Sequence, residues 1–454
     1  MAILKRNIDM GAGGVAGTLW QLALPSMFSM LFHTLFHLVD TVFVAWLGES
    51  SLAAMSLTFP LMFVIFALVN GMAVGTTTRM SNALGRGRVD EAQGYADSAL
   101  LLVLILTTPA LPLVFRPSSD AFFSLLGGSG DVLPESYRYA AWLVLGTPLM
   151  AFSLIADSTF RSQGDTVTPM KSMILGNAIN AVLDPIMIFT FGWGIAGASI
   201  ATFIGRLASC LYLWSRLKKR STIIPGITWR PDHPRKWVSI GEIGLPVAIS
   251  QGSMAVGGAL LNRILSGYGP AAIGAFMLGN RVEMFVFLPV FGFNGALVPF
   301  IGYNIGKGDF SRVRGALKVV LLSSTAMIGV IGTLVYLWPD LVLALFRPSD
   351  QVMGMAMASI RASATAYLFA AADISFWGIF QGSGRPVYGM AAQILRTLAV
   401  RIPSAAVLSR LFGLPGVWWC QPLSAFASFL LSTFFIFKVM EKIREEIRSG
   451  FGGD

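Results

Sequence analysis

Long apolar runs, each broken by a short polar or glycine-bearing stretch, recur along the whole chain. A helix that crosses a bilayer needs about 20 such residues and satisfies its backbone polar groups internally. Twelve runs qualify: 20–46, 52–77, 95–115, 136–156, 168–191, 195–215, 242–266, 271–300, 316–338, 355–378, 387–411 and 416–438. The pattern predicts an all-α integral membrane protein with twelve transmembrane helices.

Composition agrees. The 454 residues are 55% hydrophobic and 12% charged, with a mean hydropathy of +0.69, too little polar surface to cover a soluble globule. The formal net charge of +10 would suit a nucleic-acid binder. Its basic residues instead flank the spans: Arg216, Lys218, Lys219, Arg220, Arg230, Arg235 and Lys236 lie between the sixth and seventh. Lys5 and Arg6 precede the first span, and Lys438, Lys442, Arg444 and Arg448 follow the last. The positive-inside rule then puts both termini and the central loop in the cytoplasm, in a multi-pass protein of the cytoplasmic (inner) membrane with no nucleic-acid partner. Cys210 and Cys420 each fall inside an apolar run, so neither a disulfide framework nor a cysteine metal site is expected. No small-residue cleavage site follows a short apolar core near Met1, and the first span is read as a permanent helix.

The second half repeats marks of the first at a shift of about 220 residues. Leu24-Pro25 returns as Leu245-Pro246, Gly48 as Gly269, Asn70-Gly71 as Asn294-Gly295, and Gly85-Arg86-Gly87 as Gly306-Lys307-Gly308. Pro185 returns as Pro403, and the pair Gly194/Gly197 as Gly413/Gly416. The expected organisation is therefore a six-helix lobe at 1–215, a basic linker at 216–241, a second six-helix lobe at 242–438 and a cytoplasmic tail at 439–454. Six is even, so both lobes enter from the same side and are related by an axis along the membrane normal. Transporters of that design hold a central cavity between pseudo-symmetric halves and work by alternating access.

Within the first run, Leu31 to Trp46, His33, His37 and Asp40 stand at i, i+4 and i+7, on one helix face. A carboxylate at the centre of a spanning helix costs about 2.5 to 3.5 kcal/mol even on lenient insertion scales, so it faces protein or a water-filled cavity. Repeat symmetry sharpens the point. Asp40 maps onto Leu261 and the second intramembrane carboxylate, Asp184, onto Ile402, so these acids serve a task of one lobe and not the shared scaffold. The competing reading is a structural Asp hydrogen-bonded to Asn180 or Tyr139.

Six motifs in order resemble the multidrug and toxic compound extrusion (MATE) family. They are L-x-L-P at Leu22 to Pro25, V-D-T-x-F-V at Val39 to Val44, G-x-x-x-L-A-A at Gly48 to Ala54, Gly85-Arg86-Gly87, Q-G-D-T-x-T-P at Gln163 to Pro169, and the run from Asn180 to Phe189. Carboxylates in the first and fifth helices, with none in the seventh, resemble its DinF-like branch. The resemblance implies efflux of organic compounds driven by entry of protons or sodium ions, with a cation site at Asp40, Asn180, Asp184 and Thr202 and a nearby hydroxyl at Tyr139. This chain departs from the family in carrying His37 three residues before the aspartate, which leaves the coupling ion open. The acid that another branch carries in its seventh helix is missing, and Asp373 matches that branch's tenth-helix aspartate only approximately.

Depth agrees with the implied site: Asp40, Asp184 and Thr202 each lie roughly 10 Å inside the outer ends of their helices at 1.5 Å per residue. Asn177, Asn180 and Asp184 share a face, and Pro185 leaves the carbonyl of Ala181 free. Such an oxygen set suits sodium, by analogy with other hard cations; a proton needs only one desolvated carboxylate beside a second charge. Charge uptake at Asp40 would let the first helix bend near Pro25 and alter affinity for cargo. His33 and His37 are read as modulators of coupling or as the polar lining of a wet face, and no metal site is assigned to them. In the second lobe Arg281, Glu283, Asp373, Arg396 and Arg401 either line the cavity or form buried ion pairs that fix packing.

These readings converge on a secondary antiporter that exports lipophilic, cationic compounds in exchange for H+ or Na+, acting as a monomer on small organic substrates among membrane lipids and needing no cofactor. A lipid-linked precursor flippase is the nearest alternative, since it shares the two-lobe design and the second lobe carries intramembrane arginines. An intramembrane enzyme is disfavoured, because neither a nucleophile with its base nor an H-E-x-x-H motif occurs. No Walker A loop points to an ATP-driven pump.

Overall fold

The structure, a computed structural model, describes residues 7–228 and 231–450, without the side chains of residues 37–39, 41, 42 and 45. Lys5, Arg6, Arg230 and the side chain of His37 thus lie outside the described residues. Among the described residues twelve spans follow in order. The first six are α1 (Val15–Ala45), α2 (Glu49–Gly85), α3 (Val89–Val114), α4 (Val132–Ser162), α5 (Val167–Thr190) and α6 (Gly194–Arg220). The second six are α7 (His233–Ser266), α8 (Pro270–Lys307), α9 (Phe310–Leu337), α10 (Asp350–Ala364 with Tyr367–Gly382), α11 (Pro386–Phe412) and α12 (Leu414–Arg448). Eleven are long and apolar enough to cross a membrane, and α10 makes the twelfth as a span bent by 60°. No β-strand occurs among the described residues.

The repeated glycines have a backbone reason. Gly48 and Gly269 sit at the N-caps of α2 and α8 with φ of 108° and 91°, a region closed to most side chains. Each lets the chain reverse within a few residues of the preceding span.

The basic stretch read as a linker is largely helical. Lys218, Lys219 and Arg220 form the last turn of α6, and α7 already begins at His233, leaving a connection of residues 221–232. Lipid tails are as apolar as leucine, so helices associate through close-fitting small residues more than through burial from water. α2 accordingly buries Ala54, Ala67, Gly71, Ala73, Gly75 and Ala83.

By contacts the chain forms two compact units, Met1–Asp9 with Phe28–Leu245, and Met10–Met27 with Pro246–Asp454. The division falls just after Pro25 and immediately before Pro246, so the opening part of each lobe's first helix belongs to the other unit. Within the second unit the lead to α1 is held by its carbonyls. Arg312 donates to Gly13 O (2.7 Å) and to Met10 O and Ala12 O (both 3.0 Å), and Lys307 to Gly11 O (2.6 Å). Trp20 then packs edge-on against Phe293. Within the first unit the start of α7 is tied to α3. His233 Nδ1 meets Ser98 Oγ at 2.7 Å, Trp237 Nε1 donates to Ser98 O at 2.8 Å, and Asp97 accepts from Gly226 N at 2.9 Å.

Candidate functional site

The first unit gathers polar groups from four spans at one level. Asp40 lies five residues before the end of α1 at Ala45, Asp184 six before the end of α5 at Thr190, Tyr139 seven into α4 and Thr202 eight into α6, each roughly 8–12 Å from its helix end.

α5 is positioned at both ends. At its start Asp165, from the Gln163–Pro169 motif, accepts from the backbone N of Val167 (3.0 Å) and Thr168 (2.8 Å), satisfying donors that a helix start leaves free. At Pro185 the α-helical run ends and Ile186–Thr190 continues as a π-helical turn, a wider winding that recurs at functional sites. Between these points α5 and α6 nearly touch. A methyl group on Gly176 would stand 2.7 Å from Gly205 O, and one on Gly205 would stand 2.5 Å from Gly176 O. This approach brings Asn180, one turn beyond Gly176, against α6.

Asn180 Nδ2 donates to Asp184 Oδ1 (3.1 Å) and to Thr202 Oγ1 (3.3 Å), and the Thr202 hydroxyl donates to Ala198 O (3.0 Å). Asp184 is fully buried and Tyr139 is buried beside it. The carboxyl of Asp40 comes within hydrogen-bonding reach of that of Asp184. Asp40 Oδ1 and Asp184 Oδ2 are buried and have no donor. Two donorless acceptors this close are complementary to a single proton or small cation held between them.

Thus Asp40, Asn180, Asp184, Thr202 and Tyr139 are brought together. Asn180 donates to Asp184 and Thr202, and Thr202 to Ala198, rather than to Asp40. Among the described residues no group of three His, Cys, Asp or Glu could hold a metal ion. His33 lies on α1 two turns from Asp40, and the side chain of His37 is not described.

Sequence reasoning passed over Arg206. It sits one turn beyond Thr202 on α6, within electrostatic reach of Asp40 and Tyr139, and its Nη1 is 3.4 Å from Leu143 O at the end of the first half of α4. Its signal was plain, since an arginine inside an apolar run demands a reason as much as an aspartate does. The same applies to Asp157 and Arg161, a mutually interacting pair one turn apart on α4.

The second-unit residues divide. Asp373, fully buried, accepts from Ser428 (2.8 Å) and Ser432 (2.5 Å) and faces Arg396 at 3.7 Å, a closed internal network. Glu283 accepts from Gln421 Nε2 at 3.2 Å, Arg401 stacks on Phe276, and both Glu283 and Arg401 line a small cavity with Asn280 and Ser363. Arg281 is exposed and does not join them.

Comparison with known proteins adds four findings. The MatE family model matches residues 25–186 and 246–407, two stretches of equal length that begin at Pro25 and Pro246. An FAD transporter of Shewanella oneidensis is 28% identical over 421 residues, covering 90% of this chain and 92% of the relative. The multidrug export protein MepA of Staphylococcus saprophyticus is 27% identical over 417 residues, covering 90% and 91%. The crystal structure of MATE in complex with MaL6 superposes with a TM-score of 0.91 at 24% identity, over 97% of this chain and all of that one.

Proposed function

The chain belongs to the MatE family of multidrug and toxic compound extrusion transporters, and from that premise we propose that it is a proton-coupled antiporter exporting lipophilic cations. It is a transporter and not an enzyme. The observation that carries the coupling reading is the meeting of Asp40 and Asp184 with one donorless buried oxygen on each. Protonation removes buried charge, lets α1 bend near Pro25 and changes affinity for cargo. A positive charge entering down the membrane potential contributes about 2.3 kcal/mol per 100 mV, enough to drive uphill export.

A proton fits better than sodium. Asn180 turns its NH2 group, and not its carbonyl, to Asp184 and Thr202, and Arg206 already places a cation near Asp40. Sodium would need a fuller shell of oxygens. The carboxylates of the first unit favour the DinF-like branch. Arg86, Arg88, Lys218, Lys219, Lys307 and Lys442 at the ends of even-numbered spans favour a cytoplasmic-membrane orientation with both termini inside. We assign the function to a monomer.

A second reading concerns cargo. One relative is named for FAD, a phosphate-bearing anion, and Arg281, Arg396 and Arg401 supply positive charge in the second unit. Proteoliposomes loaded with ethidium or with FAD and given an imposed proton gradient decide between them. Gradient-driven efflux of ethidium alone supports cation export; efflux of FAD alone replaces it with the anion reading.

A further inference from the structure

Arg206 lies on α6, twelve residues from the helix start and on the same face as Thr202, so it stands near mid-membrane, roughly 18 Å deep. Its position has a local cause. α4 is interrupted at Gly146, and the carbonyl of Leu143 at the end of the first segment accepts from Arg206 Nη1, a placement that suits a cation at a helix C-terminus. From there the guanidinium reaches the field of Asp40 and Tyr139.

Among the described side chains the charged groups around the pair are few. α2 carries no titratable residue between Glu49 and Arg79. On α4, Glu135 and Arg138 pair with each other at 3.2 Å, and Asp157 interacts with Arg161. On α5, Lys171 is exposed and lies thirteen residues from Asp184. On α1, His33 has its own partner and lies two turns away. Among the described side chains the buried cluster therefore consists of two carboxylates, a neutral phenol and one permanently charged guanidinium, the side chain of His37 lying outside them.

Resting on the antiport reading above, we infer that Arg206 is the resident counter-ion of the Asp40–Asp184 pair and fixes uptake at one proton per transport cycle. A desolvated cluster is most favourable at zero net charge. Two negative charges and one fixed positive charge leave room for one more positive charge and not for two. Arg206 is a positioning and charge-setting residue; the rival role is a cap on the broken end of α4, which would leave the proton count unchanged.

The test uses the purified full-length protein and ethidium affinity measured across the neutral pH range. By linkage, the slope of log Kd against pH counts the protons displaced per ethidium bound. The expected slopes are near one for wild type and Arg206→Lys and near zero for Asp184→Asn, whose remaining Asp40 is balanced by Arg206; Arg206→Gln also stays near one, because its two protons at rest fall to one when the ethidium charge enters. The double variant Asp184→Asn/Arg206→Gln returns to one. A wild-type slope near two, an Asp184→Asn slope of one, or a double variant that stays at zero overturns the inference. Should the double variant fail to fold, Asp184→Asn decides alone, because a slope of one there contradicts a resident counter-ion. A wild-type slope of zero overturns proton antiport itself, and this inference with it.

Discussion

Asp40 and Asp184, on α1 and α5, present carboxyl groups to one another with one buried oxygen of each lacking a donor, while Asn180 holds the other side of Asp184 at 3.1 Å. The geometry of this pair rests on Asn180 and on the close approach of α5 to α6, whereas Arg396 and Arg312 serve the second unit.

Asn180→Ala removes the donor shared by Asp184 and Thr202. A hydrogen bond to a charged group contributes about 1.5–3 kcal/mol, so gradient-driven ethidium efflux should fall roughly ten- to hundred-fold with the protein still folded. Initial efflux rates from proteoliposomes check this; an unchanged rate removes Asn180 from the site.

Gly176→Val drives a side chain into Gly205 O and Ser209 on α6. Overpacking of this kind costs about 1–3 kcal/mol. Melting of the detergent-solubilised protein should drop by several degrees, and efflux should fall with it because Asn180 and Thr202 separate. The same substitution at Gly258, where a methyl group meets nothing within 4 Å, should leave melting close to wild type.

Arg396→Ala leaves Asp373 buried with two serine donors but no cation. Breaking a buried pair costs about 3–5 kcal/mol, so the melting temperature should fall strongly. Asp373→Asn with Arg396→Gln removes both charges and should be milder. Ethidium efflux by the double variant should keep its dependence on the proton gradient, since the pair lies outside the coupling site.

Arg312→Ala withdraws the donor from Met10 O, Ala12 O and Gly13 O. Limited proteolysis should then cut the lead before α1 faster than in wild type, whereas Arg312→Lys, which keeps one charged donor, should protect it in part.

Much of this was legible from the chain alone. Spans announce themselves because twenty apolar residues have few other uses, and the repeat exposed Gly48 and Gly269, whose positive φ explains why they recur. The bend of α10 gave no such sign: Thr365 and Ala366 are neither proline nor glycine. Residues 10–27 read as part of the first lobe because they adjoin it in sequence, yet their carbonyls are bound by Arg312, some 300 residues onward, and contacts so distant leave no local pattern. Asp40 and Asp184 stood out as acids in apolar runs, whereas Arg206 was passed over although intramembrane arginines were picked out in the second lobe.

The most direct test of the central claim compares wild type with Asp40→Asn in proteoliposomes loaded with ethidium, under an imposed proton gradient and separately under an imposed sodium gradient. The account predicts that the proton gradient drives wild-type efflux, that sodium does not, and that the variant binds ethidium but loses gradient-driven efflux. Equal efflux by wild type and Asp40→Asn would contradict it, making Asp40 a structural group.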